Sequence, residues 1–371
     1  MAAEPHMMST MLDSPAGAAA DASPLARSDP GKPVAVKTIN LALQGGGAHG
    51  ALAWGILDRL LEDERVAVEG ISATSAGAMN ATCFAYGMAI GGREAARRVL
   101  SEFWGRVADA AVLSPLQPSW FDRVSSNWGL EWSPVFVGFD MMTRLFSPYE
   151  FNPFDLNPLR DALLASVDFE VLRKPTAPIR LFISATNVRT GKVKVFESAE
   201  ICVEAVLASA CLPFLFRAAE INGECYWDGG YMGNPAIFPL IYGCDSCDVV
   251  ILHINPIERP EPPRTAREIL NRVNEISFNS SLMREMRAIH FVTELIDSGQ
   301  ISRPGMKRIL IHAIAADQVT MRLGVSSKLN ADCAFLAWLC EHGRRLATDW
   351  LAENFDHLGE RSTVDIRARY L

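Results

Sequence analysis

At 371 residues the chain has room for one large α/β domain or two smaller ones, and 49% hydrophobic with 21% charged side chains excludes the disordered and fibrous classes. A formal charge of -8 argues against nucleic acid as the main partner, because such binding needs clustered Lys and Arg. Eight cysteines are too sparse for a disulfide scaffold, and most sit in apolar stretches, as reduced core residues do.

Residues 1–36 carry Ala, Ser, Pro, Asp and Gly without periodicity and lack the apolar centre of a secretory signal, so a disordered leader is expected. No run of about 18 uninterrupted apolar residues follows, which predicts a cytoplasmic protein without a membrane span, able to touch a lipid surface at its periphery. Ile39 to Leu43 is a short apolar run closing on Gln44 and a glycine cluster, the pattern of a buried strand. Ala51, Leu52, Trp54, Ile56, Leu57, Leu60 and Leu61 then recur at helical spacing. A second unit repeats the plan: a strand over 66–74, then a helix over 76–90 stopped by Gly91-Gly92. Two adjacent units of this kind predict a parallel sheet.

Residues 101–160 break that rhythm with Trp104, Trp120, Trp128, Trp132, many Phe and repeated prolines. Strands are expected again over 179–186, 192–196 and 249–254, and helices over 265–298 and 326–354 with a short apolar run at 309–314. The organisation expected is a main α/β domain over 37–260 with an aromatic-rich insertion near 101–160. A mainly helical extension over 261–371 packs on the same domain.

Chemistry enters with Gly45-Gly46-Gly47-Ala48-His49-Gly50, between a predicted strand and helix. Glycines there let backbone N–H groups turn toward an anion, and the positive end of the helix adds to the effect. The string also satisfies G-x-G-x-x-G, so a dinucleotide site stays open; no carboxylate ends the next strand to hold a ribose, and no Gly-Lys-Ser/Thr follows to make a P-loop. Next comes Ala73-Thr74-Ser75-Ala76-Gly77, close to the G-x-S-x-G elbow that holds a nucleophilic serine in a strained turn between strand and helix. Small residues at minus two and plus two avoid a clash there, and Ala73 and Gly77 supply them. Serine attack on an ester generates an oxyanion that needs preorganised N–H donors, which the glycine loop supplies from the adjacent strand. The third element is Trp227-Asp228-Gly229-Gly230, which in isolation reads as a surface Asp-Gly turn.

Taken in this order, glycine loop, elbow serine and D-G-G aspartate, residues 39–240 resemble the patatin-like phospholipase family. The resemblance implies a three-layer α/β/α fold with a mainly parallel central sheet, acting on lipid acyl esters without cofactor or metal. It makes Ser75 the nucleophile, Asp228 the base of a Ser-Asp dyad, and Gly45, Gly46, Gly47 and Ala48 the oxyanion loop, with His49, Gly50, Ala73, Gly77, Gly229 and Gly230 in support. Ala208-Ser209-Ala210-Cys211-Leu212-Pro213 and Asn234-Pro235 match further family segments with structural roles.

This chain departs from the family at Gln44 and His49, where an acidic and a basic residue are usual; a protonated His49 would stabilise charge at the loop, although a helix-start histidine is more often a packing or capping residue. An Asp of ordinary pKa near 4 is a poor acceptor for a serine proton, so the oxyanion loop carries much of the burden. A conventional triad through Ser75, Asp228 and His253 is formally available, although His253 sits in an apolar strand. Cys244 and Cys247 form a C-x-x-C with no second ligand pair, so core thiols are expected. The aromatic segment from Phe103 to Phe154 suits either core or an acyl cleft with a lid. A polyester depolymerase or a thioesterase would use the same machinery. A dinucleotide-binding protein and a silent lipid-binding scaffold remain the alternatives from other classes.

Overall fold

Strand β1 (Lys37–Leu43) sends Ile39, Leu41 and Leu43 into one apolar cluster and Ala42 into another, so it is covered on both faces as a central parallel strand must be. Helix α1 (Gly50–Glu62) returns the chain to β2 (Val66–Ala73), paired parallel with β1 from Lys37↔Val66 to Leu43↔Ala73. Helix α2 (Ala76–Val112) follows and breaks at Gly91 and Gly92, where the backbone leaves the helical region. This computed structural model describes residues 35–112, 114, 128–130, 133–301 and 306–371. The leader expected over 1–36 lies outside them except for its last two residues, as do Trp120 and Trp132 of the aromatic segment.

Helices α3 (Pro134–Leu145) and α4 (Pro158–Ser166) lead to β3 (Arg180–Asn187), β4 (Val193–Glu197) and helix α5 (Val203–Ser209). Strands β5 (Ala219–Ile221) and β6 (Glu224–Asp228) form a hairpin turned by Asn222 and Gly223, both at positive φ. Then come β7 (Asp248–His253), α6 (Ala266–Asp297), β8 (Leu310–Ala315) and α7 (Cys333–Asn354). The sheet order is β5-β6-β3-β2-β1-β7-β8, with β4 also on β3. From β3 through β8 the pairing is parallel, whereas β4 and β6 run against β3.

Helices α1, α2 and α7 bury Leu52, Ile56, Phe84, Leu100, Phe335 and Leu339 on one face of the sheet. On the other face, α6 buries Leu282, Met286 and Ile289. The result is the expected three-layer α/β/α arrangement. Residues 36–371 make one compact unit, in which the segment read as a mainly helical extension contributes the sheet strand β8. The helix expected from 326 begins at Cys333 instead: Asp332 caps it by accepting the N–H groups of Ala334 (3.0 Å) and Phe335 (3.3 Å), and 325–329 form a separate 3-10 turn.

Candidate active site

Ser75 occupies the turn between β2 and α2 with φ of 56°, a left-handed conformation that a non-glycine residue holds only where its surroundings impose it. Those surroundings are hydrogen bonds. The Ser75 N–H donates to Ser209 Oγ (2.9 Å), Thr74 Oγ1 donates to the Gly233 carbonyl (2.6 Å), and Ser72 Oγ donates to the Ala236 carbonyl (2.5 Å). The elbow is thereby bolted to the loop that follows Asp228. Ala73 is fully buried, and a Cβ on Gly77 would stand 2.6 Å from the Leu43 carbonyl oxygen, so packing across to β1 fixes both small residues.

Register brings the carboxylate to the same height. Ala73 pairs with Ile183 and Ala185 pairs with Asp228, so Ser75 and Asp228 each stand two residues beyond the Ala73–Ile183 pair. Asp228 arrives on an antiparallel strand and is 1% exposed. Its Oδ1 accepts the Gly230 N–H (2.7 Å), and its carbonyl accepts Thr186 Oγ1 (2.9 Å). Gly229 packs directly on the Ser184 carbonyl. Burial pushes the Asp228 carboxyl up to about 6, against the lowering effects of Gly230, Ser75 and Lys328. The weak-base expectation is corrected: this carboxylate is a better proton acceptor than an exposed Asp.

The glycine loop meets the serine at contact distance, since a Cβ on Gly45 would lie 2.6 Å from Ser75 Cβ. Gly45 itself is no anion donor, because its N–H is taken by Asn234 Oδ1 (2.7 Å). Among the described residues no acceptor takes the N–H groups of Gly46, Gly47 or Ala48. Gly47 adopts φ of 58° against the Lys328 carbonyl, a place only glycine fills without strain. Gln44, where the family carries an acid, is buried and works as a two-way clamp. Its Oε1 accepts the N–H groups of Ile254 and Asn255 (both 3.0 Å), and its Nε2 donates to the Asn234 carbonyl and Asn279 Oδ1 (both 3.3 Å). A carboxylate could only accept.

His49 does not supply charge to the loop. It is buried, contacts Ser327 Oγ through Nε2 (2.7 Å), lies edge-on to Phe335, and is held at about 3 chiefly by burial, so it is neutral. Gly50 opens α1, and its carbonyl accepts Asn80 Nδ2 (2.9 Å). His253 is equally buried, pushed to about 3 by burial and Arg369, and stands 3.7 Å from Asp317, so the structure does not assemble the alternative triad. The nearby cation is Lys328, which sequence reading missed because no motif surrounds it. It shares a cavity with Ser75, Gly47 and Ala48, and its Nζ donates to Asn255 Oδ1 (2.9 Å). Ser209, Asn234 and Asn255 were likewise not singled out as site residues.

That cavity measures about 230 Å³, and Met79, Phe103, Trp104, Leu212, Leu215 and Phe216 form its walls. Phe103 and Trp104 of the aromatic segment thus line the cleft at the elbow. No helix among the described residues is long and apolar enough to cross a membrane, and no group of three or more His, Cys, Asp or Glu among them is placed to hold a metal.

The family model described as patatin-like phospholipase matches residues 41–241, more than half of the chain. Curated proteins gave no match. Among solved structures the chain is similar to VipD from Legionella pneumophila, with a TM-score of 0.41 and 14% identity over 85% of this chain and 67% of that one. It is also similar to the ExoU–SpcU complex from the type III secretion system of Pseudomonas aeruginosa, with a TM-score of 0.30 and 18% identity over 67% of this chain. The chain spans about half of that second structure's length, 51%.

Proposed function

From the premise that the chain belongs to the patatin-like phospholipase family, whose members are lipid acyl hydrolases, we propose that it cleaves acyl esters with Ser75 as nucleophile and Asp228 as base. The observation that carries this reading is the left-handed elbow that sets Ser75 level with the buried Asp228 across the sheet, at an apolar cavity edged by amides that no described residue accepts from. In the first half-reaction Ser75 Oγ bonds to the acyl carbon as its proton passes to Asp228. The carbonyl oxygen becomes an oxyanion facing the Gly47 and Ala48 amides. Collapse breaks the ester C–O bond, and the leaving alkoxide takes the proton from Asp228. Water then attacks the acyl-serine, losing its proton to Asp228, which returns it to Ser75 as the fatty acid leaves.

The cavity walls suit the acyl chain of a lipid. A groove formed by Leu145, Phe146, Pro213 and Phe214 reaches Trp227 and Tyr231 on either side of the D-G-G segment, which supports peripheral docking on a lipid aggregate. The test is hydrolysis of p-nitrophenyl esters of rising chain length beside phospholipid vesicles, with a fluorophosphonate probe mapped to its labelled peptide. Label on the Ser75 peptide supports the reading, and inert protein with no label ends it. Vesicle and polyester or thioester arms separate a phospholipase from the depolymerase and thioesterase readings.

Two results follow. Because Asp228 acts as a base only when ionised, kcat/KM should rise through pH about 6 and level off above it; a limb near 4 would show an ordinary exposed carboxylate instead. Gly47→Ala should lower kcat by about 100-fold with the fold retained, because the Lys328 carbonyl and the positive φ both force the amide off its line. Steady-state kinetics alongside circular dichroism checks it.

A further inference from the structure

The family match ends at residue 241, yet a cation from residue 328 reaches the site. Lys328 belongs to the 3-10 turn Val325–Leu329, whose backbone packs on Gly47 and whose Ser327 hydroxyl meets His49. Its ammonium donates to Asn255 Oδ1 (2.9 Å), and Asn255 Nδ2 in turn donates to the Gly45 carbonyl (2.6 Å). One side chain thus touches the clamp on the glycine loop while standing in the cavity with Ser75. Resting on the Ser-Asp reading above, we propose that Lys328 is a positioning residue that supplies the positive charge which the neutral His49 does not, favouring ionised Asp228 and fixing the oxyanion loop through Asn255.

The charges around both groups agree. Asp228 faces Tyr231 and Cys211, each pushed up to about 12 chiefly by burial and therefore neutral, and among the described residues Lys328 is the charge that acts on its carboxyl. Burial holds the Lys328 ammonium below the usual lysine range; Glu275 and Asp228 favour its charge, and Arg259 opposes it. Arg259 and Arg272 are both paired with Glu275, which leaves Lys328 as the cation lining the described cavity. Without that charge the Asp228 carboxylate becomes harder to ionise, so the acid limb of the rate profile moves upward.

The test uses the full chain and p-nitrophenyl butyrate, comparing wild type, Lys328→Met and Lys328→Arg from pH 4.5 to 9. The expected result for Lys328→Met is a kcat loss of about 10-fold or more, KM within about twofold, and an acid limb raised by about half a pH unit or more. Lys328→Arg should restore most of the rate and the wild-type limb. An unmoved limb in folded Lys328→Met overturns the proposal whatever its rate. If that variant does not fold, Lys328→Gln carries the same readout. Wild type lacking any Ser75-dependent hydrolysis refutes the Ser-Asp reading itself, a result distinct from an active enzyme whose profile ignores residue 328.

Discussion

Ser75→Ala is expected to lose at least about 10,000-fold in kcat on p-nitrophenyl esters, and all fluorophosphonate labelling, while melting close to wild type. The rate loss is large because no neighbour replaces the nucleophile: Ser209 is fully buried, and its hydroxyl is committed to the residue-75 N–H, a bond that alanine keeps. What survives is catalysis by the Gly47 and Ala48 amides and the cavity acting on attack by water, small beside the covalent route. Stability should change by less than about 1 kcal/mol, since alanine at φ of 56° is strained to the same degree as serine. Hydrolysis persisting at wild-type rate in a folded Ser75→Ala protein would remove Ser75 from the chemistry.

The three motifs were legible because each encodes a local demand. Close approach to Ser75 requires Gly45, a left-handed turn requires Gly47, and contact with the Ser184 carbonyl requires Gly229. Such constraints appear as residue types at fixed positions. The polar clamps were legible only in part: the resemblance marked Ser209 and Asn234 as structural without their partners, whereas Asn255 and Lys328 act through side chains aimed by tertiary packing, which neither periodicity nor spacing carries. The same gap explains one correction and one reading that the residues left open. Gly45 looked like an oxyanion donor until Asn234, 189 positions away, proved to occupy its N–H. His49 stood between a charge at the loop and a packing residue, because burial cannot be read from a helix start, and it packs. In the fold, the β5–β6 hairpin was overlooked although Asn222-Gly223 is a strong hairpin signal, because the strands beside it are short and poorly alternating. The run at 309–314 gave apolarity without type, as buried segments of that length do, and it is β8.

Asp228→Asn should separate activity from stability in a way that a merely structural aspartate would not. Its kcat should fall by about 1,000-fold or more, since an amide cannot take the Ser75 proton, while its oxygen still accepts the Gly230 N–H. Stability should move in the opposite direction. The folded carboxyl sits at about 6 against 3.8 for the free group, so between those values the native state holds a proton that the unfolded chain has lost, and wild-type stability falls as pH rises through that window. Above about 6 the full cost of the buried charge, on the order of 2–3 kcal/mol, is present in wild type and absent from the variant. Melting temperatures at pH 4 and pH 8 therefore test the site's electrostatics independently of any substrate. Asp228→Asn should gain on wild type at pH 8 by clearly more than at pH 4, and an equal gap at both would mean that the carboxylate is not held ionised at a cost to the fold. A protein that keeps a destabilising buried charge at Asp228, level with Ser75 across the sheet, keeps it against the gain that asparagine offers, and proton transfer is the chemistry that asparagine cannot perform.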